Sequence, residues 1–403
     1  MADDLCEHCF KALGAFDYTA ANKLTAYILK SLNSLYSSLA EDVAKEISML
    51  DTGTSANSQD KLVLLHIMTA LIELCKVRLT LINIYQSIAA QSSEAVTEDL
   101  TLLSETCEKA QLDERLNLLG IGVQKEINIL SLLLKAREAI KDYAFQDTCI
   151  ALFMCKQDLT EWKRLCQLQD FPKKSSARSE ESRENSTWRF SLFGGPSENQ
   201  KQGDNWPHTI RWQAKYLDNL TARMTLYFNT ILLSKENIVS EDDPEKALWK
   251  GIKIDYHDQI CTFRRRFGAH NIGLVYEVTA AVPFHPQGYV CSKTSYEAPQ
   301  GIHSFPFIYC HPSQPPRDHL PNIISMIQGC KNKLADPKGG PVYFFDSKIA
   351  STYYLMRVDE HVVMVIIYLD RHVHCEPTTA EFMTKVVTSL RGSSVIGELV
   401  KTD

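Results

Sequence analysis

Six consecutive apolar residues, Val362-Val363-Met364-Val365-Ile366-Ile367, constrain the fold more than any other stretch of this chain. Successive side chains of an extended strand point to opposite faces, so a run without a polar residue has no face to offer to water. Such a strand belongs in the middle of a sheet and must be covered on both sides. Its surroundings supply that sheet. Short runs of β-branched and aromatic residues predict strands at 272–278, 307–310, 342–345, 352–357 and 362–369. Helical spacing predicts helices at 255–267 and 320–328 and a terminal helix starting near Thr378. The order is α-β-β-α-β-β-β-α. The last three strands are joined by loops short enough for hairpins, which implies a five-stranded antiparallel sheet with flanking helices over 251–403.

The first 250 residues read differently. From about Asp17 to Gln169 apolar residues recur at helical spacing, among them Leu62, Leu65, Ile72, Leu79 and Ile82. The stretch 123–168 has no proline and reads as one long helix or two stacked end to end, with a single long, kinked helix the favoured expectation. Between Phe171 and Trp206 the chain turns to Lys, Ser, Glu, Arg, Asn and Gly, with too little apolar content to offset the entropy of ordering. A disordered loop is predicted there, carrying an apolar island of Trp188, Phe190, Leu192 and Phe193. Helical spacing returns at 206–233, and Asp243-Pro244 has the form of an N-cap followed by a first helical residue. The expected architecture is therefore α+β in two domains, a helical bundle over 1–250 and a sheet domain over 251–403. The element order of the second resembles the roadblock and longin modules, small folds that act in dimerisation and in handling small GTPases.

Several function classes are disfavoured. With 43 Lys and Arg against 49 Asp and Glu, the net charge of -6 gives no general pull toward phosphate backbones, so nucleic acid is not an expected partner. The chain begins Met-Ala-Asp-Asp, without the positive charge and apolar stretch of an export signal, and no apolar run reaches the ~18 residues of a membrane span. The 12 cysteines are scattered, which suits reduced thiols and a cytoplasmic chain. Neither Gly-x-x-x-x-Gly-Lys nor Gly-x-Ser-x-Gly occurs, and Gly339-Gly340-Pro341 leads into a strand as a turn would.

Metal is weighed at three places. Cys6 and Cys9 have two-residue spacing but no second pair at a finger-like distance. His372, His374 and Cys375 follow the apolar strand, where alternation could aim both imidazoles one way, yet a polar turn accounts for them. His303, Cys310, His311 and His319 are soft ligands that a fold could gather, without an acidic residue at a catalytic zinc spacing. No cofactor and no metal are expected. A metal-dependent enzyme is the weakest of the functional alternatives.

Binding of protein partners is the stronger expectation. Tyr296, Glu297, Pro299 and Pro306 lie on a proline-rich connection, and Pro321 and Asn322 open the helix after it. Prolines pre-set the backbone and lower the ordering cost of a binding surface, while a tyrosine offers a large amphipathic contact. These residues could equally brace the sheet, with Tyr296 as a buried lid. Arg264, Arg265 and Arg266 could meet an acidic partner or a lipid headgroup, or form a solvated helix face.

Particular sequences carry a resemblance. Ser295-Tyr296-Glu297-Ala298-Pro299-Gln300-Gly301, Phe305-Pro306, Leu320-Pro321-Asn322-Ile323-Ile324, Val342-Tyr343-Phe344-Phe345-Asp346-Ser347-Lys348 and Ser351-Thr352-Tyr353-Tyr354-Leu355 resemble the KICSTOR complex subunit 2 family. So do Leu192-Phe193-Gly194-Gly195, Tyr227-Phe228 and, more loosely, Leu13-Gly14-Ala15-Phe16-Asp17-Tyr18. The resemblance implies a divergent or invertebrate member. It further implies a non-catalytic scaffold or adaptor whose partners are other KICSTOR-like subunits, above all the large scaffold subunit. Through them the chain would meet the GATOR GTPase-activating complex at the lysosomal surface and restrain TOR signalling in amino-acid starvation. A module acting directly on a small GTPase is the alternative.

Gentle proteolysis of the purified chain is expected to cut first between Phe171 and Trp206, because that stretch has the least apolar content. Mass spectrometry of the first fragments checks this; initial cleavage within 123–168 would overturn it.

Overall fold

The computed structural model describes residues 96–167, 208–235, 244–290, 296–337, 339–372 and 374–399, with part of the stretch 66–90. The loop expected over 171–206 and its apolar island lie outside the described residues, as do Cys6, Cys9, Leu62, Leu65, Ile72, Leu79 and Ile82. The described helices are α1 (Val96–Lys109), α2 (Leu112–Leu116), α3 (Leu118–Lys141), α4 (Phe145–Gln167), α5 (His208–Tyr227), α6 (Asn229–Lys235), α7 (Pro244–Trp249) and α8 (Tyr256–Phe267). Strands β1 (Asn271–Tyr276) and β2 (Phe307–His311) follow, then α9 (Leu320–Gly329) and α10 (Lys331–Leu334). Strands β3 (Val342–Asp346), β4 (Ser351–Arg357) and β5 (Val362–Tyr368) precede α11 (Pro377–Leu390) and α12 (Ser393–Gly397). The chain forms two compact units, one from 1–131, 155–214 and 396–403, the other from 132–154 and 215–395.

In the first unit the helical positions within 66–90 bury Ala70, Leu74, Val77, Leu81, Ile84 and Ile88, alternating steps of four and three along one face. A buried carboxylate sits beside this stripe. Glu126 accepts from Arg78 Nη1 at 2.6 Å and from the Tyr85 hydroxyl at 3.0 Å, while Gln213 Nε2 donates to the Glu126 carbonyl at 3.1 Å.

The second unit holds the sheet, in the order β2-β1-β5-β4-β3 with every pairing antiparallel. The long apolar run is the central strand, as its composition requires, and all seven residues of β5 are buried. On one face Val363, Val365 and Ile367 join Val275, Tyr353 and Leu355 under Ile323, Met326 and Ile327 of α9 and Leu334 of α10. The opposite face carries Tyr368, whose hydroxyl shares a hydrogen bond with Thr379 of α11 at 3.0 Å. Helices α5, α8 and α11 are joined there. Asn219 Nδ2 donates to the Ser389 carbonyl at 2.8 Å, and Phe263 stacks on Phe382 with ring centroids 3.8 Å apart. Gly273 interrupts the β1 side chains because a Cβ there would stand 2.9 Å from the Phe307 ring.

Local signals set both ends of α8. Asp255 caps α8 by accepting from the Asp258 amide at 2.8 Å, and Gly268, at φ 70°, ends it. The apolar stretch 123–168 is two helices. The break is at Tyr143, which takes φ 55°. Its amide donates to Ile140 and that of Ala144 to Ala139, a pattern that normally has glycine at the left-handed position. Aromatic packing holds the tyrosine there, with Phe228, Phe284 and Tyr276 rings at 4.8, 4.9 and 5.6 Å.

Asp359, in the β4–β5 turn, accepts from the His361 and Val362 amides at 2.9 Å through Oδ1. Its Oδ2 accepts from Arg223 Nη2 and from the Tyr227 hydroxyl, both on α5. Arg223 is 5% exposed and Asp359 12%, so the pair is screened from water. Burial and the Asp359 charge push the Tyr227 hydroxyl well above its ordinary pKa, which keeps it a donor. Removing one partner of such a pair strands the other charge, and Asp359→Ala is expected to cost about 3–5 kcal/mol. Replacing both Arg223 and Asp359 by apolar residues should cost less than the sum of the two single losses. Denaturant titration of the two singles and the double checks this; additive losses would refute the coupling.

Candidate functional site

The connection from β1 to β2, residues 277–306, carries Tyr296, Glu297, Pro299 and Pro306 of the residues singled out from sequence. Its base is anchored. Tyr276 and Val278 donate to the carbonyls of Pro306 and Ser304 at 2.9 Å, and the Phe284 ring lies 5.0 Å from that of Tyr276. Gly288, at φ 73°, accepts from the Phe145 amide at 2.8 Å, and a Cβ on it would come within 2.3 Å of Phe145. Beyond these anchors apolar groups face solvent: Val290 is 75% exposed and Ile302 54%, with Tyr289 and Tyr296 also exposed. Tyr296 is therefore no buried lid. Its hydroxyl accepts from the Phe284 amide at 3.2 Å and its ring meets His285 at 5.1 Å, so the connection folds over itself and presents the ring edge outward. Glu297 is exposed, and Pro299 and Pro306 are half-buried.

Asn322 does something else. Its Nδ2 donates to Asp346 Oδ2 at 2.8 Å and to the Tyr353 hydroxyl at 3.4 Å, tying the start of α9 to β3 and β4. His319 Nδ1 shares a 2.8 Å hydrogen bond with the same hydroxyl, and burial, reinforced by nearby His270, holds this imidazole below its ordinary pKa. Pro321, exposed, occupies the first turn of α9, where its missing amide is no loss. Tyr296 and Asn322 thus have different partners, the first within the β1–β2 connection and the second on β3 and β4.

The three arginines serve their own helix first. Arg264 Nε donates to the His270 carbonyl at 3.2 Å, Arg265 to the Cys261 carbonyl at 3.4 Å, and Arg266 lies over the Phe267 ring at 5.4 Å. Positive charge in the last turn also complements the helix dipole. Arg265 and Arg266 remain exposed.

Of the possible metal ligands, His372 is bound up with tyrosines. Tyr354 Oη lies 2.8 Å from its Nδ1 and the Tyr368 ring 4.3 Å away. His303 is exposed on a 3-10 turn, Gly301–Ser304. The fold does gather one group, His257 and Cys261 from α8 with His311 from β2, whose ligand atoms lie within 4.8 Å of one another. Only His311 was among the sequence candidates. The spacing of four between His257 and Cys261 was the available signal, but it gains meaning only once β2 brings the third residue.

The sequence model described as "KICSTOR complex C12orf66 like" matches residues 21–402. The chain belongs to this family. It is similar to "KICSTOR subunit 2" of Xenopus laevis, 25% identical over 378 residues, covering 92% of this chain and 79% of that protein. The Danio rerio "KICSTOR subunit 2" is 26% identical over 373 residues, covering 90% and 77% respectively. The family match thus takes in the β1–β2 connection and the network at Asn322 alike.

Asn322→Ala would leave Asp346 and the Tyr353 hydroxyl short of a donor, a loss of about 1–3 kcal/mol. A lowered melting temperature with unchanged secondary structure is the expected result; an unchanged one would show that water replaces the amide fully.

Proposed function

We propose that this chain is a non-catalytic subunit of a KICSTOR-like complex, holding partner subunits through exposed surface rather than turning over a substrate. Family membership over residues 21–402 is the observation that carries this reading. The exposed Tyr289, Val290, Tyr296 and Ile302 on an anchored connection support it, since apolar groups facing solvent on a rigid base cost little to order on binding. On this reading the large scaffold subunit is the direct partner. The assembly tethers the GATOR complex to lysosomes and so restrains TOR signalling when amino acids run short. The chain would be cytoplasmic and reach the lysosomal surface through its partners; among the described residues no helix is long and apolar enough to cross a membrane.

A second reading has its own support. The sheet order β2-β1-β5-β4-β3 within an α-β-β-α-β-β-β-α chain suits a roadblock- or longin-like module, which favours a role in handling a small GTPase. Nucleotide exchange on purified Rag GTPases, with and without the chain, separates the two: an altered rate supports the second reading and an unaltered one the first.

Tyr296→Ala removes exposed ring area and one 3.2 Å hydrogen bond. It is expected to leave the melting temperature nearly unchanged while lowering co-purification with the large KICSTOR scaffold subunit at least several-fold. Full retention of the partner would remove this connection from the interface.

A further inference from the structure

The group formed by His257, Cys261 and His311 has no part in the reading above. His257 and Cys261 stand four residues apart on α8 and so share one face of the helix. His311 is the last residue of β2, an edge strand of the sheet. Cys261 Sγ lies 3.2 Å from His257 Nε2 and 3.7 Å from His311 Nδ1. Around a tetrahedral zinc ion, thiolate sulfur and imidazole nitrogen stand about 3.6 Å apart, from Zn–S of ~2.3 Å and Zn–N of ~2.0–2.1 Å. The two observed separations bracket that value.

Further features match a metal centre. His257 is buried, and its Nδ1 shares a 3.0 Å hydrogen bond with the Tyr309 hydroxyl on β2. Such an outer partner fixes the ring so that Nε2 faces the ligand position. Trp249 lies nearly parallel to the imidazole, with centroids 6.5 Å apart, closing one side. The rings of His257 and His311 are perpendicular, at 88°, which lets their nitrogens converge without the rings colliding. Cys261 and His311 are half-buried, so an ion can enter and a fourth ligand can reach it. Two imidazoles and one thiolate form a borderline-soft donor set, which suits zinc and disfavours magnesium or calcium.

We infer that His257, Cys261 and His311 bind one Zn²⁺ ion, with a solvent molecule as the fourth ligand, and that the ion pins α8 to the edge strand β2. Binding requires the thiolate, so the Cys261 thiol releases its proton to solvent as the Zn–S bond forms. The inference reverses the expectation, drawn from sequence spacing, that the chain holds no metal. Its role is structural: the ion braces the sheet edge from which the β1–β2 connection returns.

The test uses the full chain, loaded with zinc in excess, desalted, and analysed for metal. The wild type should retain one equivalent; Cys261→Ser and His311→Ala should each lose most of it, with circular dichroism checking that they still fold. Cobalt loading supplies a reading that does not depend on those variants. The wild type should show tetrahedral d–d bands with thiolate-to-cobalt charge transfer, and Cys261→His should keep the tetrahedral bands while losing the charge transfer. A wild-type chain that retains no metal after desalting overturns the inference. So does zinc at full stoichiometry in folded Cys261→Ser, or a thiolate charge-transfer band that survives Cys261→His.

Discussion

One carboxylate, Asp359, settles two questions that the apolar strand beside it leaves open. A strand that alternates polar and apolar residues sets its own register, because a slip of one residue turns its greasy face to water. β5 is apolar on both faces and has no such penalty. Its register must come from the turn, and Asp359 Oδ1 supplies it by accepting from the His361 and Val362 amides at 2.9 Å. The other oxygen fixes the cover, since Arg223 and Tyr227 both donate to it from α5. Strand position and helix position thus meet at one residue, and the helices joined to α5 inherit the arrangement.

The sheet was legible in the sequence because its signals are local. All five strands lie within two residues of their expected bounds, the short loops give the antiparallel hairpins, and the doubly apolar run is central. The corner at Tyr143 was only half legible. Spacing favours one kinked helix, and the structure has two, because the chain turns at a left-handed tyrosine that local preference does not select. Its cause is the set of rings from Phe228, Tyr276 and Phe284, distant in sequence. The site divides in the same way. Tyr296 is exposed rather than a buried lid, whereas Asn322 turns inward to Asp346 and Tyr353. A polar residue at the start of a helix carries no sign of which way it will face. The His257, Cys261 and His311 group was hidden for a related reason, as 50 residues separate its thiol from its last imidazole.

The β1–β2 connection combines anchored and exposed segments. Anchors at Phe284, Gly288 and Pro306 make the base rigid, and apolar groups at Val290 and Ile302 are left to solvent. Rigidity is what makes such exposure useful, because a surface already ordered has little entropy left to lose when a partner covers it.

The left-handed tyrosine has a consequence for how the chain reaches its structure. Helical periodicity runs through 123–168 without a proline, so the young chain has every local reason to continue α3 straight into α4. The bend becomes favourable only when the ring of Tyr143 finds its aromatic partners, two of which belong to the sheet and its connection. Local preference and final structure disagree here, and the corner between α3 and α4 depends on rings that the sheet and its connection supply.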